Sequence, residues 1–148
     1  MTDRPADPPR FSQRARAASD LGPAGELPPW DAARVQRRLD DLAGFATEAA
    51  HLVAKTRVAY LDDSPDGMIL RSAGRMVLIK VATVAEKLPR EFKDAHPGIQ
   101  WSSINRMRNL VAHHYDKVDD HFIWNALVAE IPKLATDLGL SVRTTPGH

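Results

Sequence analysis

The chain has no cysteine among its 148 residues. That excludes disulfides, thiolate metal sites and a cysteine nucleophile, and it fits a reducing cytoplasm. Charge of one sign is also missing. Twenty Lys and Arg against nineteen Asp and Glu leave a net charge of +1, so contact with a nucleic acid has to come from a local patch, not from bulk charge. No apolar run approaches the ~18 residues that a membrane span needs, and no signal-peptide apolar region opens the chain. A glycine-rich phosphate loop, a Gly-x-Ser-x-Gly elbow and sustained strand-like alternation are all absent from the sequence. What remains, 43% hydrophobic and 26% charged residues, is the balance of an ordinary globular protein of one domain.

Residues 1–29 read as a disordered tail. Six of the eleven prolines lie there (Pro5, Pro8, Pro9, Pro23, Pro28, Pro29), with Phe11, Leu21 and Leu27 as its only large apolar side chains after Met1. So little apolar surface does not offset the entropy of ordering. Asp3, Asp7, Asp20 and Glu26 argue against a mitochondrial leader.

From Trp30 the pattern becomes helical. Val35, Leu39, Leu42, Ala46, Ala49, Val53, Thr56 and Tyr60 step by four and three, which predicts one helix of roughly 30 residues, about 45 Å long. Asp31 is its expected N-cap, and Asp62-Asp63-Ser64-Pro65-Asp66-Gly67 breaks it. A second helix carries Ile69, Leu70, Ala73, Val77, Val81, Val84 and Leu88 on one face and ends near Pro89, with a short helical turn over residues 90–95. His96-Pro97-Gly98 is a strong break. A third helix is expected from Ser102, as cap, to Tyr115, and a turn over 116–120. A fourth carries Phe122, Ile123, Ala126, Leu127, Ile131 and Leu134, kinks at Pro132 and stops at Gly139. The expected class is all-α, an antiparallel bundle of four to five helices, with a domain over 30–139 and a flexible C-terminal tail over 140–148.

The chemistry gathers on the third helix, Arg108-Asn109-Leu110-Val111-Ala112-His113-His114-Tyr115. A guanidinium that is always charged, an imidazole that titrates near neutrality and a phenol suit phosphate chemistry without a metal. Residues 100–115 contain no Asp or Glu. On a helical wheel of about 100° per residue, with Ile104 at zero, the apolar face of Met107, Leu110 and Val111 centres near ~310°. Arg108 falls at about 40°, Tyr115 at about 20° and His113 at about 180°. An ideal helix therefore separates Arg108 from His113 by about 140°. Either the helix unwinds before His113, or a second copy of the chain supplies the missing half of a cleft.

Other candidates fit structural roles better. His114, at about 280° on the wheel, is expected on the core or interface side. His51 and His96 are isolated. Asp62, Asp63 and Asp66 lack the ligand order of an EF-hand, and Asp116, Asp119, Asp120 and His121 look like a turn and an N-cap. Trp101 and Trp124 are expected to pack the bundle.

At these residues the chain resembles the HEPN superfamily, and within it the HepT-like proteins. The signature of arginine, a polar residue, three residues, histidine, any residue and tyrosine is met without departure by Arg108, Asn109, His113 and Tyr115. The similarity continues in Glu86-Lys87-Leu88, Phe92, His96-Pro97 and Trp101 before the motif. After it come Val118-Asp119, Ile123-Trp124 and Ile131-Pro132, so that about residues 30–135 are covered. The resemblance implies a cytoplasmic helical homodimer and a metal-independent endoribonuclease that needs no cofactor, with a composite site at the dimer interface. It implies RNA as substrate and a toxin–antitoxin setting, with a minimal nucleotidyltransferase as antitoxin. In that reading His113 takes a proton from the ribose 2′-OH, its reference pKa lying near ~6.5. Arg108 holds the scissile phosphate, and Asn109 orients the phosphate or the histidine. Tyr115 is the target for nucleotide transfer by the antitoxin. The rival reading is a non-catalytic HEPN module that partners a nucleotidyltransferase and holds a nucleotide or small substrate.

Overall fold

The computed structural model describes residues 29–143 apart from 115 and 116, and every regular element among them is helical. The tail over 1–28, the modification candidate Tyr115 and residues 144–148 lie outside the described residues.

Helix α1 spans Pro29–Val53. It begins two residues before Asp31, so proline, whose fixed φ suits a first helical turn, opens it and Asp31 is not its cap. The single 30-residue helix expected from the sequence is in fact two. α1 stops at Val53, and a separate short helix, α2, runs over Arg57–Leu61. Between them Thr56 takes φ 77° and ψ 153°, and its side chain caps α2 by accepting from the backbone N–H of Ala59. The reversal turns Tyr60 inward, where it is fully buried with its ring centroid 5.0 Å from that of Trp124.

Helix α3, Pro65–Glu86, is the central element and packs against α1, α2 and α5. It starts inside the segment that the sequence marks as a break: Ser64 accepts from the N–H of Gly67, and Pro65 occupies the first turn. Gly74 on α3 is required by close approach, because a Cβ there would run into the Tyr60 hydroxyl. Val77, Leu78 and Val81 are almost wholly buried and share one core with Leu42, Ala46 and Ala49 of α1. Lys80 and Glu48 pair at 2.9 Å across the α1–α3 seam.

The short helix α4 covers Arg90–Asp94, where the sequence places a helical turn. Helix α5 covers Trp101–His113. Its N-cap is Gln100, which makes no side-chain capping bond, and not Ser102. After it, α6 over Asp120–Asn125 runs through a wider π turn, Ala126–Glu130, into α7 over Ile131–Asp137. Pro132 accounts for that turn. It has no N–H to give the carbonyl four residues back, and its ring crowds that carbonyl, so the preceding turn widens where a kink is expected from the sequence. Gly139, at φ 69°, ends the helix as its position predicts. The N–H of Leu140 bonds the Ala135 carbonyl and that of Gly139 bonds the Thr136 carbonyl, a Schellman closure. No helix among the described residues is long and apolar enough to cross a membrane.

Candidate functional site

α5 is helical through His113, and only at His114 does the backbone leave the helix. The alternative in which the helix unwinds before His113 is therefore not what the chain does. Arg108 and His113 stay on different sides of one regular helix, about 7.5 Å apart along its axis.

The face that α5 turns to the core is displaced from the one that the apolar residues mark. Val111 is fully buried, but Leu110 is 43% exposed, and Ile104 and Met107 are only half-buried. Arg108, on the other flank of Val111, is half-buried against α3. Its Nη2 pairs with Glu86 Oε1 at 3.3 Å, while its Nε is enclosed without a hydrogen-bond partner among the described residues. Asn105, one turn earlier on the same flank, likewise encloses an Oδ1 with no partner among them. The acid-free stretch of α5 thus borrows its carboxylate from α3.

Asn109 and His113 are both exposed and stand one turn apart, at i and i+4. Arg106 is exposed as well, with Nη2 donating to Ser103 Oγ at 3.2 Å. The outer face of α5 is therefore a strip of amide, imidazole and guanidinium groups open to solvent. His114 is exposed on the single chain and stands at the C-cap of the helix, so of its two expected places, core or interface, the core is excluded.

The remaining candidates do structural work. Nδ1 of His51 lies 3.0 Å from the Thr47 carbonyl, and Nδ1 of His96 lies 2.9 Å from that of Phe92. Asp119 caps α6 by accepting from the His121 N–H at 2.9 Å. Asp120 pairs with Arg75 at 2.7 Å, and Arg71 donates to the Asp62 carbonyl. Trp101 donates from Nε1 to the carbonyls of Lys93 and His96. Among the described residues no three His, Asp or Glu side chains gather as metal ligands would.

Two hollows flank α5. On the side of Ile104, Met107 and Leu110 lies an apolar groove of about 570 Å³, closed opposite by Phe122, Ile131 and Leu134. Lys133 stands on its rim, where a hydrogen bond and the charge of Asp137 hold its ammonium above the usual lysine range. On the other side, between α3, α4 and α5, lies a smaller cavity of about 220 Å³, with Glu86, Lys93 and Asn105 among its walls. Glu86 as the partner of Arg108 is what sequence reasoning missed. Its only signal was that Glu86 belongs to the pattern shared with the HepT-like proteins.

Comparison with known proteins places the chain in a family. The chain is 28% identical over 88 residues to the protein named "Putative RNase TTE0752" of Caldanaerobacter subterraneus subsp. tengcongensis, covering 59% of this chain and 78% of that one. It is 33% identical over 54 residues to the "Probable ribonuclease HepT" of Thermococcus cleftensis, covering 36% of this chain and 49% of that one. It is also 25% identical over 52 residues to "Putative RNase MJ0127" of Methanocaldococcus jannaschii, across 35% of this chain and 43% of the relative. The match thus spans less than half of the last two relatives. No solved structure matches the chain. A family model described as Ribonuclease HepT-like matches residues 62–138, the stretch from the start of α3 to the end of α7 that holds Glu86, Arg108, Asn109 and His113, and the chain belongs to that family.

Proposed function

We propose that this protein is an endoribonuclease that works without a metal, at a cleft formed by two copies of α5. One observation carries the reading. A continuous helix holds Arg108 against α3 while Asn109 and His113 face solvent on another side. A phosphate held by both groups at once needs a second copy to bring a histidine to the arginine.

In the cleft, His113 takes the proton of the ribose 2′-OH. The 2′-oxygen forms a bond to phosphorus as the bond to the 5′-oxygen breaks. The departing 5′-oxygen collects a proton from solvent, leaving a 2′,3′-cyclic phosphate and a 5′-hydroxyl. Arg108 neutralises the charge that accumulates on the phosphoryl oxygens, where a planar, permanently charged donor is most effective. Asn109, one turn from His113, orients the phosphate or the imidazole. The names of the relatives, which are ribonucleases, support the substrate class.

The same reading makes the chain the toxin of a toxin–antitoxin pair in the cytoplasm, its working domain running over 30–139. Its antitoxin is a small nucleotidyltransferase that modifies Tyr115. The chain has two tyrosines, and Tyr60 is fully buried, which leaves Tyr115 as the candidate acceptor. The test is cleavage of RNA by the unmodified protein in EDTA, with Arg108→Ala and His113→Ala as controls. Cleavage is expected with chelator and lost in both variants while the far-UV circular dichroism stays helical. Activity that disappears in EDTA and returns with Mg²⁺ would refute the metal-free mechanism.

A further inference from the structure

The cavity of about 220 Å³ beside the Arg108–Glu86 pair has so far been given no task. It is smaller than the pockets that take whole cofactors, which begin near ~300 Å³, and suits one planar ring system. Ala82 and Ala85 of α3 and Ile104 of α5 give it an apolar lining. Trp101, whose Nε1 is tied to two backbone carbonyls, makes a fixed aromatic wall.

Its polar groups are few and specific. Glu86 offers a carboxylate that is half exposed, and 3.3 Å from Arg108 is long for a charge-assisted bond. Lys93 also lines the cavity. Its Nζ is held by the Glu86 carbonyl at 3.0 Å and lies 5.9 Å from the centre of the Trp101 ring. Asn105 lines it too, with an enclosed Oδ1 that lacks a partner, and rotation about its terminal torsion presents either amide atom to the cavity. One turn further, Arg108 Nε is enclosed, and neither atom has a partner among the described residues. Folded proteins leave few buried polar atoms unpaired. Here the acceptor belongs to a residue of the cavity wall and the donor to the arginine paired with Glu86, another wall residue, and together they mark a site that a ligand completes.

We propose that this cavity is the base-recognition subsite of the enzyme and that it takes guanine. The proposal rests on the ribonuclease reading above and adds its sequence preference. Guanine presents, along one edge, the O6 acceptor followed by the N1–H and N2–H₂ donors. Lys93 meets O6. The Glu86 carboxylate accepts from N1–H and N2–H₂ in parallel, and the Asn105 amide takes the remaining N2 hydrogen. The other bases put a lone pair where the carboxylate needs a donor: adenine its N1, cytosine its N3, uracil its O2. Glu86 couples the two halves of the site. A phosphate arriving at Arg108 displaces the carboxylate, which turns to the base, so guanine and phosphate are held by one exchange of partners.

The test has two arms on the full-length protein. In the first, 5′-GMP, AMP, CMP and UMP are titrated by calorimetry. GMP should bind at least ~10-fold more tightly than AMP, because a site built to pair with donors rejects analogues that lack them. Asn105→Ala and Glu86→Gln, checked for a wild-type circular dichroism spectrum, should remove most of that difference. In the second arm, RNA of mixed sequence is cleaved and the new ends are sequenced. Cuts should concentrate at phosphodiesters attached to guanosine, and inosine, which lacks the N2 amine, should be cut several-fold more slowly. Cleavage without base preference overturns the guanine subsite and leaves the ribonuclease reading standing. Selective GMP binding that is lost in Asn105→Ala, with no RNA cut at all, keeps the guanine site and removes the ribonuclease. Selective binding of the mononucleotide with indifferent cleavage assigns the cavity to a free nucleotide and overturns the proposal.

Discussion

Arg108 Nη2 lies 3.3 Å from Glu86 Oε1, which ties the arginine of the motif to the preceding long helix and not to the histidine five residues along its own. The pair is partly exposed on both sides, so its net contribution to stability is small, of the order of ~1 kcal/mol or less. Its effect is on position and charge: the guanidinium is held at the seam between α3 and α5 until an anion competes for it.

Complementation between inactive variants tests whether the site is shared. Arg108→Ala and His113→Ala, each inactive alone, should recover cleavage when they are unfolded together and refolded at equal concentration. If each site takes its arginine from one copy and its histidine from the other, mixed dimers carry one whole site. The mixture should then reach about a quarter of wild-type activity. Persistent inactivity, with mixed dimers demonstrated by mass spectrometry, would place both groups of a site on one copy.

Covalent silencing is expected at Tyr115. Incubation with a cognate nucleotidyltransferase and ATP should add the mass of one or more AMP groups, abolish cleavage, and fail with Tyr115→Phe. The helical wheel puts Tyr115 nearly in line with Arg108, so an adduct would bring phosphate charge against the arginine assigned to RNA in the proposed mechanism. Because Tyr60 is fully buried, a peptide map that puts the adduct there would contradict the fold as well as the assignment.

The packing of Tyr60 against Gly74 gives a stability prediction. Gly74→Ala should destabilise the protein by about 1–3 kcal/mol, the usual cost of overfilling a close-packed core. A cooperative thermal melt should move down by several degrees. An unchanged melting temperature would mean that the Tyr60 ring has room which the structure does not show.

Thr56 predicts the opposite sign. Its backbone lies in a region that non-glycine residues avoid, at a cost of ~1–3 kcal/mol, while exchanging a capping threonine for glycine costs only a few tenths. Thr56→Gly should therefore raise stability by about 1 kcal/mol after glycine's own entropic cost. Chemical denaturation reads it directly, and a lower midpoint with an unchanged slope would refute the strain argument.

Sequence reasoning recovers what repeats locally and loses what distant segments decide. The helical class, the break before α3, the short α4 and the stop at Gly139 are each written in a few adjacent residues. The break at Thr56 is not. The heptad-like spacing from Val35 to Tyr60 runs straight through it, and what bends the chain is the place that Trp124 and Gly74 make for Tyr60. The buried face of α5 is misjudged for a related reason. Hydrophobic residues point toward Met107 and Leu110, but α3 approaches from the flank of Arg108, where Glu86 makes a charged residue acceptable at a helix contact. Arg108, Asn109 and His113 are legible as candidates from their spacing; which neighbour each one faces depends on contacts the spacing does not encode.

The two-sidedness of α5 also bears on dosage. A lone copy keeps its arginine occupied by Glu86 while His113 looks out to solvent on another side, so in the shared-cleft arrangement it is half an enzyme. Under that proposal, when copies are scarce, cleaving capacity would grow with the square of their number and not in proportion to it. A few stray chains would then cut almost nothing, whereas a burst of synthesis would bring cleavage on abruptly.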